Sequence, residues 1–167
     1  MIEDEAAFGR INVPKYCWCP PGVRPSVPCQ RVREYVNVYG AADPLTGESF
    51  FLILPCNNTQ CMSLFLERLG QEYADDVILL LCDGASWHTS HDLNVPDNIL
   101  LFQIPPHTPE MNPMEQIWKE LRGRGFRNEL FTSLEAVVDR LSETICSLDN
   151  FTVSHITLRH WIRALFL

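Results

Sequence analysis

The segment Val77-Ile78-Leu79-Leu80-Leu81-Cys82 constrains the fold of this chain more than any other. It is a continuous apolar run, with Asp75-Asp76 before it and Asp83-Gly84 after it. A strand with one wet face alternates apolar and polar residues, whereas an unbroken run reads as a strand buried on both faces, as in the parallel sheet of an α/β protein. Residues 99–104 repeat this character, and Pro105-Pro106 stops them.

The rest of the chain supplies the layers around such strands. The first strand is expected to run into Asp4, but only three residues precede it, fewer than a typical strand, so the strand looks clipped. Residues 12–30 hold five prolines and read as a long loop. Residues 35–39 alternate and are rich in Val and Tyr. Residues 50–54 form a second strand, and Asp43-Pro44-Leu45-Thr46-Gly47 between the two is a turn, so the pair reads as a hairpin. Met62, Phe65, Leu66, Leu69 and Tyr73 recur at helical spacing behind a cap at Asn58 or Thr59. A helix opens near Asn112, with Pro113 in its first turn and Glu115 at its third position. Another follows Thr132, whose spacing to Glu135 is that of a capping box, and residues 151–167 read as a last helix. The expectation is one α/β domain over residues 1–167, a mixed sheet flanked by helices.

Charge is segregated along this chain. The net charge is −8, which disfavours a dedicated nucleic-acid-binding domain. Yet residues 10–33 hold five basic residues and no acid, whereas residues 34–115 hold twelve acids and one base. Lys119, Arg122, Arg124 and Arg127 then cluster. A metal-dependent nuclease needs both kinds of surface, carboxylates for cations and bases for phosphates, although charge runs also describe solvated faces. The seven cysteines cannot all pair internally, and their spacings fit no zinc motif. There is no apolar run of membrane-spanning length and no signal peptide, which points to a cytosolic protein without membrane contact.

Three carboxylates stand out by context. Asp4 and Asp83 sit at strand ends, where ligands of open α/β sheets gather, and Glu115 lies in the first turn of a helix. Mg²⁺ takes oxygen ligands and few protein carboxylates. Two such ions can activate the attacking oxygen and stabilise the leaving oxygen of a phosphodiester. The same residues have plainer readings: a strand-end Asp forms turns, and Glu115 suits a helix N-terminus. His88 fits either a phosphate contact or a local hydrogen bond. The pattern alone leaves these alternatives open.

Two longer segments narrow the choice. Asp83-Gly84-Ala85-Ser86-Trp87-His88 precedes Ile104-Pro105-Pro106-His107-Thr108-Pro109-Glu110-Met111-Asn112-Pro113-Met114-Glu115-Gln116-Ile117-Trp118. Together they resemble the D-(N/G)-A-x-W-H and P-P-(Y/H)-(S/T)-P-E-(L/M)-N-P-(I/M)-E-x-(I/V)-W elements of bacterial insertion-sequence transposases of the Tc/mariner superfamily. Glu3-Asp4-Glu5-Ala6-Ala7-Phe8-Gly9 is similar to that family's D-E-x-x-F-G element, and residues 38–47 to its second-strand and turn region. Gly84 and His107 depart mildly from the commoner Asn and Tyr.

The resemblance covers most of residues 1–130. It implies a ribonuclease-H-like fold and a DDE triad of Asp4, Asp83 and Glu115 binding Mg²⁺ or Mn²⁺, two ions with DNA in place. It implies cleavage at transposon ends and strand transfer into target DNA. Glu5 is expected to point to the other face of its strand and Glu110 lies in the Pro-rich turn, so neither is chosen. His88, Lys119, Arg122, Arg124 and Arg127 are the candidate DNA contacts. The family's helix-turn-helix region is missing from this sequence, which suggests a separate reading frame or a truncated chain. A helix-turn-helix region or subunit and a second copy of the chain are the implied partners, and the nucleoid is the place of action. A non-catalytic remnant of a transposase, or another ribonuclease-H-like nuclease, is the alternative.

Overall fold

A computed structural model describes residues 1–12, 14–105, 108 and 111–166. The first strand, β1 (Ile2–Ile11), pairs antiparallel with β2 (Arg31–Ala42), and β2 pairs antiparallel with β3 (Ser49–Leu54). The chain then forms α1 (Thr59–Glu72), β4 (Ile78–Cys82) and β5 (Ile99–Gln103). β4 lies parallel to both β1 and β5, so the sheet order is β3-β2-β1-β4-β5. Four helices complete the described chain: α2 (Met114–Gly125), α3 (Leu134–Cys146), α4 (Asn150–Thr157) and α5 (His160–Phe166). This is the mixed, helix-flanked α/β sheet that the sequence predicted, in the ribonuclease-H-like arrangement.

The sheet separates two apolar clusters. On one face α1 buries Met62, Phe65, Leu66 and Leu69 against Tyr39, Ala41, Ile78 and Leu80. Asn58 caps α1 by accepting the Cys61 N–H at 2.8 Å. On the other face Ile117, Trp118 and Leu121 of α2, with Val137 and Leu141 of α3, cover Ile2, Ala6, Phe8, Val36 and Val38. Burying each such side chain contributes roughly 1.5–3 kcal/mol. The alternation of β1 follows: its even residues face α2, and its odd residues Glu3 and Glu5 face the side of α1.

Several expectations needed correction. β1 has ten residues and runs through Asp4, so Asp4 lies inside the strand and not at its end. β4 and β5 are fully buried on one face only: on the other, Leu79, Leu100 and Phe102 are 53–58% exposed and Leu81 alone packs against the α2 cluster. The apolar run thus reports one face of core and one face that is largely open. Helix α2 begins one residue later than expected, at Met114, whose N–H is accepted by Asn112 Oδ1 at 3.1 Å; Glu115 is therefore its second residue. Ser133 caps α3 in place of Thr132. The expected last helix is two helices, broken at Leu158, whose backbone leaves the helical region. The loop over residues 14–30 and the turn at Asp43–Gly47 are as expected, the latter closed by the Gly47 N–H on the Asp43 carbonyl at 2.8 Å. All seven cysteines carry free thiols.

Candidate metal and nucleic-acid site

Asp4 is held by helix α2. Its Oδ2 accepts a hydrogen bond from Trp118 Nε1 at 2.8 Å, and Trp118 itself is 1% exposed. The close approach of that helix depends on Gly40, the residue of β2 paired with Asp4. A Cβ at Gly40 would lie 2.7 Å from Trp118 Cη2 and 2.9 Å from Met114 Cε. Glu115 occupies the same helix, three residues before Trp118, and its side is exposed. Asp83 directly follows β4. The β1–β4 register pairs Ile2 with Leu81, so Asp83 comes level with Asp4 two residues beyond that pair. Leu81 packs in the cluster beneath α2, the side that Asp4 faces. Asp4 and Glu115 are thus close enough on the α2 side for their charges to act on each other, whereas Asp83 leaves β4 at the same end of the sheet with its carboxylate turned to His88, 2.9 Å from Nδ1.

The electrostatics of this end favour a cation. Burial is the largest cause that raises the Asp4 carboxyl to a pKa of about 7. The Trp118 N–H pulls it down, while the nearby charges of Glu5 and Glu115 push it up. A carboxylate held in this state gains from a positive partner. The three side chains offer only oxygen donors, which suits Mg²⁺ or Mn²⁺.

A second cluster lies on the opposite face of β1. Glu5 Oε1 accepts from Trp87 Nε1 at 2.6 Å and lies 3.1 Å from His88 Nε2. Glu3 Oε2 lies 3.5 Å from the same nitrogen. His88 Nδ1 faces Asp83, 3.0 Å from its carbonyl oxygen and 2.9 Å from its Oδ1. Burial opposes a charge on His88, but the Glu5 and Asp83 contacts outweigh it and raise its pKa. Burial, then Glu5, Asp4 and Asp83, push the Glu3 carboxyl well above the ordinary range. The strand alternation expected for Glu5 is thus observed. The buried His88 ring has no exposed surface to offer a phosphate; it ties the turn after β4 to β1. Sequence reasoning missed Glu3, Trp87 and Trp118 as parts of these networks. The signals were there: Glu3 and Glu5 are two apart on a strand, and Trp118 is one helical turn beyond Glu115.

The basic residues divide by their partners. Arg122 lies over the Phe8 ring, 4.9 Å from its centroid. Arg124 pairs with Glu120 at 2.7 Å and donates to the Ser147 carbonyl at 3.0 Å. Arg127 donates to the Tyr16 carbonyl and, with Lys15 and Arg122, lines a shallow cleft of about 180 Å³ beside β1. Lys119 is exposed and has no ion pair among the described residues. Glu115, Lys119 and Arg122 follow at helical spacing along one side of α2. Glu110 lies outside the described residues.

The chain has relatives among known proteins. Residues 1–138 match the family model described as DDE superfamily endonuclease. A protein of Sinorhizobium fredii (strain NBRC 101917 / NGR234), named uncharacterized protein y4pE/y4sA, is 32% identical over 130 residues, which are 76% of this chain and 96% of that protein. Among solved structures, the Mos1 transposase paired-end complex with left transposon end matches with a TM-score of 0.72 at 17% identity, over 98% of this chain and 52% of that one. The catalytic domain of Mos1 mariner transposase matches with a TM-score of 0.66 at 16% identity, over 98% and 76%. This chain spans about half the length of the transposase chain in the paired-end complex. At such identities the likeness concerns the fold.

Proposed function

This chain belongs to the DDE superfamily of endonucleases, and from that premise we propose that it is the catalytic domain of a transposase of bacterial insertion-sequence type. Asp4, Asp83 and Glu115 hold two Mg²⁺ or Mn²⁺ ions in the presence of DNA. The observation that carries this reading is the placement of Asp4: a partly buried carboxylate, fixed by Trp118 on the helix of Glu115 and level with Asp83. The Mos1 paired end complex has been solved with Mn and with Mg, which supports the same ions here.

When bound, such ions polarise a phosphodiester and lower the barrier to in-line displacement by water or by a 3′-hydroxyl. The chain's own residues supply position. Trp118 fixes the orientation of the Asp4 carboxylate through its Oδ2. Glu115, at the α2 N-terminus, stands where the helix dipole favours negative charge, both its own and that of a phosphate. Lys119 and Arg122 continue along α2 and hold the DNA backbone, with Arg124 and Arg127 at the edge of that track. The substrates are transposon ends and target DNA. Recognition of the end sequence resides in a helix-turn-helix region or subunit, and two copies of the chain bring two ends together.

The decisive experiment is cleavage by Asp83→Asn. The variant should keep the wild-type circular dichroism and lose Mg²⁺- or Mn²⁺-dependent nicking of supercoiled DNA and of transposon-end duplexes. Nicking at the wild-type rate would overturn the assignment.

A further inference from the structure

We propose that Glu3, Glu5 and His88 form a binding site for one transition-metal dication, with Zn²⁺ as the convenient probe, on the sheet face opposite Asp4. One ligand atom from each residue comes within 4.8 Å of the others. His88 Nε2 lies 3.1 Å from Glu5 Oε1 and 3.5 Å from Glu3 Oε2. A tetrahedral ion bound about 2.0–2.2 Å from nitrogen and oxygen ligands spaces them by roughly 3.3–3.5 Å. The two separations from His88 Nε2 already stand near that spacing.

The proton arrangement points the same way. Both Asp83 atoms near His88 Nδ1 are acceptors, so Nδ1 carries the hydrogen. With Nδ1 committed to Asp83, Nε2 is the nitrogen left to ligate an ion between Glu3 and Glu5, releasing its own proton as it does so. An imidazole that donates through one nitrogen to a carboxylate or carbonyl and ligates through the other is the usual partner arrangement around a bound metal. Trp87 Nε1 fixes Glu5 from behind.

Glu3 supplies the independent observation. It is 0% exposed, and neither of its carboxylate oxygens has a hydrogen-bond donor. The residue is aimed into a cluster in which a proton on Nε2 serves Glu5 and still leaves both Glu3 oxygens without a partner. A buried carboxyl with no partner on either oxygen is left unsatisfied, and a dication bound to both glutamates and the imidazole supplies that partner. One nitrogen and two carboxylates select Zn²⁺ and similar ions over Mg²⁺ or Ca²⁺, which prefer oxygen throughout. Such an ion would clamp the turn of residues 83–88 onto β1. The site shares Asp83 with the catalytic reading, as the acceptor beside His88 Nδ1, but its three ligands lie on the face away from Asp4.

The test uses the full chain carrying Asp4→Asn and Glu115→Gln, so that zinc at the catalytic carboxylates is not counted. The protein is stripped with chelator, loaded with Zn²⁺ and dialysed. Elemental analysis should find one zinc per chain. X-ray absorption should show one imidazole nitrogen with oxygen ligands, and Tm should rise by roughly 5–10 °C at Zn²⁺ a hundredfold above Kd. Adding Glu3→Gln, nearly the same in shape, should weaken zinc binding by at least about a hundredfold and remove the Tm shift. His88→Gln should do the same; should it fail to fold, Glu3→Gln and the absorption spectrum decide. No retained zinc, an oxygen-only shell, or zinc binding unchanged by Glu3→Gln would overturn the site. Mg²⁺-dependent nicking by the wild type reads the catalytic proposal separately.

Discussion

Replacing Asp4 by Asn should stabilise the metal-free protein at high pH and leave it unchanged at low pH. The Asp4 carboxyl has a pKa of about 7 in the fold, against an ordinary value of 3.8. A group whose folded pKa is raised favours folding while protonated, so its benefit is complete below pH 4 and is lost as pH rises through 7. Above pH 7 the fold carries the whole cost of the buried charge. A shift of about three units corresponds to about 4 kcal/mol at most. Solvent reaches part of the side chain and the neighbouring acids relax, so about 2 kcal/mol is the expected gain. Asn keeps an oxygen to accept the Trp118 N–H and carries no charge. For a domain of this size the gain is roughly 4–8 °C in Tm. Thermal melts in chelator from pH 4 to 8.5 should show the two proteins together at pH 4 and apart above pH 7. Adding Mg²⁺ at pH 8 should then raise the wild-type Tm and not that of the variant. A variant less stable at pH 8, or a gain independent of pH, would refute the reasoning.

Trp118→Phe removes the N–H that lowers the Asp4 pKa, so the acid limb of the pH profile of Mg²⁺-dependent nicking should move to higher pH; an unmoved limb would leave Trp118 only a packing role. Gly40→Ala forces a Cβ to 2.7 Å from Trp118 and should cost about 1–3 kcal/mol in chemical denaturation, with a changed Trp fluorescence spectrum. Lys119→Ala with Arg122→Ala should weaken DNA binding and reduce its salt slope by up to about 0.9 per lost phosphate contact, measured by fluorescence anisotropy over a salt series. Arg122 also packs on Phe8, so that double variant should lose on the order of 1 kcal/mol of stability as well.

What could be read from the sequence follows from which interactions are local. The helix over residues 59–72 was legible because its apolar spacing and its Asn58 cap both lie within a few residues. The sheet class was legible from the run at residues 77–82. The length of β1 was not, since its alternation places Glu3, Asp4 and Glu5 where a strand of this kind usually shows apolar residues. β2 reads short for a related reason: Gly40, Ala41 and Ala42 have weak strand preference, and pairing with β1 carries them. The break at Leu158 has no Gly or Pro to announce it. At the candidate site, Asp83 and Glu115 stood out by position, while the ring of Glu3, Glu5, Trp87 and His88 joins residues more than eighty apart and exists only in the fold. His88 reads as a DNA contact because nothing in the sequence marks its ring as buried.

The most direct test of the catalytic reading is anomalous diffraction from crystals of the protein with a DNA end and Mn²⁺. The account predicts two anomalous peaks about 4 Å apart, bounded by carboxylate oxygens of Asp4, Asp83 and Glu115. Anomalous density that never touches these three carboxylates would contradict it.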